Sequence, residues 1–440
     1  MLAQAGEGER PLDVAALASG REAFVEIAPP GGAPWRGDLL RSAASAAGRP
    51  WQSGPLVVNR RVSLPVPPEA VGGVASFRLV ADVSLRADGT LWVDAWFRND
   101  GAMRPGGGTA SYRARVMLDG REALREDLAA HHQYRGWGRL LGAARGGRVA
   151  GAAPNIRHDL SYLAESGATA RYDATTGVAE EVLARMGSAI AGAAWNAPLG
   201  TRYVTPYMPT GGGRFDIGPT TGWQAAWLIS GDPRAAAFCI GQAEACGTIP
   251  WHFWDATGGA EGSGGWLDAV RWPNLWTDGR GGRPPRGLAQ QIPSDTGWTL
   301  DTAHQPTLAF VPYLLTGRRA FADEVMAVGA WNVVGQWPAV RARPEGPRGR
   351  RASSSSIGSR RAVRPGRCAR WTRLPMSRRT AILTRPTCAT CSRGTTPGCA
   401  RAYPNGRSCR ERRMAGSYPT SWARAACRSR RGSRTTSRCR

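Results

Sequence analysis

The stretch Ser76–Asp100, SFRLVADVSLRADGTLWVDAWFRND, decides the fold of the first part of the chain. Phe77, Leu79, Ala81, Val83 and Leu85 alternate before Ala87-Asp88-Gly89-Thr90, and Leu91, Val93, Ala95 and Phe97 alternate beyond it. Strict alternation marks strands with one apolar face. An Asp-Gly pair between two such runs marks a hairpin, because glycine takes the positive φ of the turn without steric cost. Working outward, RVSLPVPP (61–68) and ASYRARVMLDG (110–120) repeat the alternation, and Leu118-Asp119-Gly120-Arg121 supplies a second Asp-Gly turn. Long antiparallel strands with one polar face predict a β-sandwich over residues 61–130. Residues 1–60, rich in Ala, Gly and Pro, form a poorly defined N-terminal segment; WRGDLLRSAASAAG (35–48) could hold a short helix.

Past a transitional stretch the hydrophobic period changes. Val178, Val182, Leu183, Met186 and Ile190 form a helical stripe. TTGWQAAWLISGDPRAAAFCIGQAEACG (220–247) reads as helix, turn at Ser230-Gly231-Asp232-Pro233, and helix. AHQPTLAFVPYLLTGRRAFADEVMAVGAWNVV (303–334) repeats that unit, with its turn at Thr316-Gly317. HDLSYLAESG (158–167) ends in a further Ser-Gly. Helical hairpins joined by short turns predict an α/α toroid or solenoid over residues 131–340, with a plain helical bundle as the simpler alternative.

The 440 residues allow two or three domains. The net charge of +25 is unevenly spread: residues 1–340 carry 31 Arg against 31 Asp and Glu, and the last hundred carry 27 Arg against Glu345 and Glu411. A neutral body disfavours nucleic acid as the partner. Residues 341–440 are rich in Arg, Ser, Thr, Pro, Gly and Cys and show no amphipathic period. They are compatible with a basic arm, with a zinc site at the Cys388–Cys391 CxxC, or with out-of-frame translation of a GC-rich gene. The third reading is preferred, since a shifted frame restores acids and helical patterning, and disorder is expected in any case. No run approaches the roughly 20 apolar residues of a membrane span. No secretory signal is visible, so a cytoplasmic location is expected. Cys239 and Cys246 lie seven residues apart on one predicted helix, about 10 Å along its axis. That is too far for a disulfide.

All five His fall between residues 131 and 304, and eleven of the 18 Trp lie between Trp195 and Trp337. Sugar rings offer C–H faces to aromatic side chains, and their hydroxyls and carboxylates need polar groups at the rim. The candidate acids and bases are His132, Tyr134, His252, Asp255 and His304. Arg135 and Arg214 are candidate anion binders, Asp216 and Asp301 candidate polar contacts, and Trp251, Trp254 and Trp272 candidate stacking surfaces. Each has a plainer reading: Trp as core, Arg214–Asp216 as a structural pair after Gly211-Gly212-Gly213, and Asp301 as a helix N-cap. β-Elimination needs a His or Tyr base beside a cation that neutralises a uronate; hydrolysis needs two carboxyl groups across the bond. No cofactor motif and no metal-ligand spacing is present.

RHDLSYLAESG (157–167), RFDIGPTTGWQAAWLISGD (214–232) and DTAHQPTLAFVPYLLTG (301–317), with the strand-then-hairpin layout, resemble two-domain bacterial proteins of the six-hairpin, α/α toroid, carbohydrate-active type. The resemblance covers residues 60–340 and brings no catalytic signature. It implies a β-sandwich followed by an incomplete toroid, since further hairpins would fall after residue 340. The implied function is a polysaccharide lyase or glycoside hydrolase acting on a poly- or oligosaccharide, inactive if truncated. A non-catalytic glycan-binding or structural protein, surface- or phage-associated, is the alternative.

Overall fold

The computed structural model describes residues 11–46, 48–144, 157–210, 214–258, 264–273, 275–277, 288, 292–336 and 338. The expectations for residues 341–440 and for the Gly211-Gly212-Gly213 run lie outside the described residues.

The Ser76–Asp100 reading becomes β5 (Phe77–Arg86) and β6 (Leu91–Asn99), paired antiparallel with Ala81 opposite Ala95 and Leu85 opposite Leu91. Seven more strands complete two antiparallel sheets. They are β1 (Ala23–Ala28), β2 (Trp35–Asp38), β3 (Gln52–Ser53), β4 (Val57–Pro65), β7 (Ala110–Leu118), β8 (Arg121–His131) and β9 (Arg135–Ala143). One sheet runs β2-β1-β7-β8 and the other β3-β4-β5-β6-β9. Their facing sides share one apolar core: Val25, Ile27, Ala114 and Val116 from the first meet Leu79, Val83, Val93 and Phe97 from the second. Two short helices, α1 (Val14–Ala18) and α2 (Leu39–Ser45), lie in this part, and α2 adds Leu39, Leu40 and Ala43 to the core.

The sheets therefore extend beyond 61–130 at both ends. β1 lies inside its sheet, between β2 and β7, so the segment expected to be poorly defined supplies an interior strand. Its six residues are short and flanked by Gly and Pro, which hides the alternation. β9 is interrupted by glycines, which weaken a strand signal. At Gly138 the glycine is a packing requirement: a Cβ there would lie 2.4 Å from the Trp96 ring.

Six α-helices follow among the described residues: α3 (Leu160–Glu165), α4 (Glu180–Ala191), α5 (Gly222–Ser230), α6 (Pro233–Cys246), α7 (Phe310–Thr316) and α8 (Arg319–Val334). Two tight hairpins are present, α5–α6 and α7–α8. Each turns on a left-handed glycine, Gly231 (φ 63°) and Gly317 (φ 67°), whose N–H closes back onto Trp227 and Tyr313 respectively. Thr221 and Gln224 close a capping box at the start of α5. These helices do not by themselves establish a toroid.

The polar face of the five-stranded sheet is buried under α6 and α8. Val80 and Trp96 pack against Ala243, Ala320 and Phe321. Around them run buried ion pairs. Arg61 bridges Asp82 and Asp323, each at 2.6 Å. Arg98 meets Glu324 at 2.9 Å. Arg318 grips Asp94 through two 2.9 Å bonds and reaches Glu244, also at 2.9 Å. Residues 82, 94 and 98, which alternation assigns to a solvent face, bind the sheets to the helices.

Candidate functional site

The structure divides the candidate residues into a buried group, consumed by packing, and a smaller accessible group.

The buried group begins at the β8–β9 turn. His131 lies between the Tyr112 hydroxyl (2.9 Å) and the Arg135 carbonyl (3.0 Å), and burial pushes its pKa down to about 3. Tyr134 adopts φ 69°, and its ring packs on Phe253 at 4.8 Å in the core. Arg135 donates to the carbonyls of Thr248 (2.6 Å) and Leu199 (3.2 Å), and burial lowers its pKa to about 10. Its guanidinium therefore joins loops rather than facing a substrate.

His252 is fully buried, with Nε2 2.6 Å from Glu324 Oε2 and Nδ1 2.9 Å from the Ile249 carbonyl. Burial alone would raise the Glu324 carboxyl, but His252 and Arg98 hold it below its ordinary value. The partner of His252 is thus not the nearby Asp255 but a carboxylate 72 residues away in the chain. Cys246 also bonds to Glu324, and burial, then the Glu324 charge, pushes its thiol well up. A thiol so held is no nucleophile.

Asp255 spends Oδ1 on Thr257 N–H (2.9 Å) and hydroxyl (2.7 Å), and Oδ2 on Trp272 Nε1 (2.9 Å). Burial opposes its ionisation, yet these bonds and Arg271 keep its pKa low. Arg214 and Asp216 form a bidentate pair at 2.9 Å, and Arg214 also donates to the Met208 carbonyl at 2.7 Å. Trp251 is core, 5.5 Å from Trp331. Trp254 is half-buried between the Arg78 guanidinium (3.7 Å) and Trp266 (5.3 Å). Trp272, half-buried, is tied to Asp255.

The accessible group gathers on two loops. Asp301 does not cap a helix: α7 begins at Phe310, because Pro306 disfavours helix at the residue before it. Asp301 instead closes a local turn, accepting from Ala303 N–H at 2.9 Å, while its Oδ2 lies 2.6 Å from His304 Nδ1. Both side chains are partly open to solvent. His304 Nε2 meets no partner among the described residues. The same loop, 292–305, brings Asp295 to 3.7 Å from His132, whose Nδ1 also faces the Thr109 hydroxyl at 3.0 Å. Leu300 and Ile292 anchor this loop in the core.

Segment 201–210 pairs with it. Thr299 donates to the Pro206 carbonyl (2.9 Å) and accepts from Met208 N–H (3.0 Å), which bridges Tyr207 to Thr299. Tyr207, 57% exposed, is thereby tied to the loop two residues before Asp301. Sequence reading missed Tyr203 and Tyr207. The signal was present in TRYVTPYMPT, whose buried Arg202, Val204 and Met208 alternate or flank exposed Tyr.

A separate cleft of about 320 Å³ is lined by Arg157, His158, Asp159, Ser161, Trp227 and Leu315, among others. Arg157 approaches the Ser230 carbonyl at 3.5 Å and His158 bonds the Leu315 carbonyl. Basic groups on the last carbonyls of α5 and α7 serve those helix ends.

Among the described residues no cluster of three or more His, Cys, Asp or Glu is placed to hold a metal ion. No described helix is long and apolar enough to cross a membrane. No protein-family model, curated protein or solved structure matches the chain.

Proposed function

We propose that the protein recognises a poly- or oligosaccharide at the surface formed by segments 201–210, 214–216 and 292–305, and binds it without cleaving it. The supporting observation is the exposed Tyr207 bridged through its backbone to Thr299, on the loop that carries the open Asp301–His304 pair. An aromatic ring next to hydroxyl-binding polar groups suits a sugar. A non-catalytic role fits better because the equipment for cleavage is spent elsewhere. Asp216 and Asp255, two of the possible carboxylates of a hydrolase, are bonded to protein donors. Arg135 and Arg214, the possible uronate neutralisers of a lyase, are likewise bonded internally. The partial α/α toroid belongs to the same proposal.

A second reading, a lyase or hydrolase, rests on the 2.6 Å Asp301–His304 contact, which orients an imidazole as a general base would be oriented. Affinity electrophoresis through gels containing soluble polysaccharides separates the two. The binding role predicts retardation that Tyr207→Ala weakens severalfold, with no new reducing ends and no ultraviolet-absorbing product. Product formation that His304→Ala abolishes would replace it with the enzyme.

A further inference from the structure

We infer that Tyr203, Trp223 and Phe215 form a second stacking subsite of this surface, and that it selects uncharged sugar residues. The inference rests on the saccharide-binding reading and names the chemical class of its ligand.

The rings form a connected set. Tyr203 lies 6.1 Å from Phe238 and 6.3 Å from Trp195; Phe238 lies 5.6 Å from Trp223, which lies 6.3 Å from Phe215. Phe238 and Trp195 are buried and act as the floor. Tyr203 is 65% exposed and Phe215 is 41% exposed, and Trp223 is half-buried between them.

The backbone beneath Tyr203 is held in a costly conformation. Leu199, Arg202 and Tyr203 all take positive φ, at 58°, 45° and 65°. Non-glycine residues persist there only when the surroundings over-determine them. Arg202 does so here, bonding the Trp195 carbonyl (2.9 Å), the Gly241 carbonyl (2.8 Å) and Glu244 (2.6 Å). Gly241 is required as well, since a Cβ there would lie 2.4 Å from the Trp195 ring. A large apolar ring is thus fixed outward at the expense of its own burial.

The chemistry of the segment indicates what covers it. Between Thr201 and Thr221 the charged residues are Arg202, Arg214 and Asp216, and all three are paired, with Glu244 or with each other. The rest of the polar set is hydroxyl: Thr201, Thr205, Thr210, Thr220 and Thr221, with the two Tyr. Nucleic acid requires phosphate-neutralising cations, which this segment does not offer. A stable protein interface needs roughly 800 Å² per partner, far more than three partly exposed rings supply. Aromatic faces on a segment whose remaining polar groups are hydroxyls and whose charges are paired complement a neutral sugar ring. Tyr203 lies on the same segment as Tyr207, which the bridge to Thr299 joins to the loop that carries Asp301 and His304.

The test compares the full chain with Tyr203→Gly and Phe215→Ala in affinity gels containing neutral polysaccharides (a glucan, a mannan, a xylan) or acidic ones (polygalacturonate, alginate), at 50 and 500 mM salt. Tyr203→Gly suits the local φ, so it removes the ring without threatening the fold. The expected result is binding to at least one neutral polymer, unchanged by salt and weakened at least fivefold by each substitution. Binding only to acidic polymers, or binding unaffected by both substitutions, overturns the inference and leaves the saccharide-binding reading standing. Binding to none of them removes both.

Discussion

Arg98 on β6 and Glu324 on α8, 226 residues apart in the chain, meet at 2.9 Å with side chains 1% and 0% exposed. The contact crosses from sheet to helices, and Glu324 in turn holds His252. Removing one member of a fully buried pair strands the other charge, which costs more than the pair contributes net. Arg98→Met is expected to destabilise the protein by about 3–5 kcal/mol. Combined with Glu324→Gln, the loss should fall short of the sum of the two single losses by more than about 0.5 kcal/mol. Urea unfolding of the two single variants and the double variant measures this; strict additivity would mean that the pair does not join the two parts.

Glu244 links that interface to the proposed ligand surface. It accepts from Arg318 (2.9 Å) and from Arg202 (2.6 Å), the residue that fixes Tyr203. Glu244→Gln should therefore loosen the 199–204 backbone. Amide exchange there is predicted to rise at least tenfold, with polysaccharide binding weakened although no ligand-contacting side chain has changed. Unaltered exchange would show that Arg202 is held without Glu244.

Stability should fall on acidification in two stages. His131 is neutral in the fold, with its pKa pushed from 6.5 to about 3 by burial, so the unfolded chain binds a proton that the native state refuses. Its contribution is fully present above pH 6.5 and is lost as pH falls toward 3, with an upper bound of about 5 kcal/mol. Burial alone would raise the carboxyls of Glu244 and Glu324. Their arginine partners, and His252 for Glu324, hold both below 4.5 instead. Their contributions persist above 4.5 and are lost as pH falls through the lowered folded values. Denaturation midpoints at pH 7.5, 5.5 and 4 check this. His131→Gln should flatten the drop between 7.5 and 5.5, and an equal drop in that variant would remove His131 as its source.

His304 and Asp301 stand apart from the packed residues. His304→Ala should leave the melting temperature within about 2 °C, since partly open side chains away from the core contribute within about 0.5 kcal/mol. A larger loss would make the pair structural and remove the remaining support for a catalytic role.

Much of the sheet region was legible in the sequence because its signals are local. The β5–β6 hairpin, its Asp-Gly turn and the Ser-Gly and Thr-Gly helix turns all fall where period and glycine placement put them. What escaped depends on distant partners. Asp82, Asp94 and Arg98 look solvent-facing by alternation, and only Asp323, Glu324 and Arg318, more than 200 residues later, make them interior. The same limit governed the site. His252 beside Asp255 and Arg135 beside Tyr134 looked like chemistry, but their neighbours in space are Glu324, Thr248 and Leu199. Asp301 and His304 meet within three residues of each other, in a local turn rather than at the helix start expected of Asp301.

Hydrogen–deuterium exchange of the full chain with and without a bound polysaccharide locates the contact surface. Protection should appear in 201–210 and 292–305 and leave the 157–161 and 227–231 cleft unchanged. Protection confined to that cleft, with none in the two paired loops, would contradict the assignment of the binding surface.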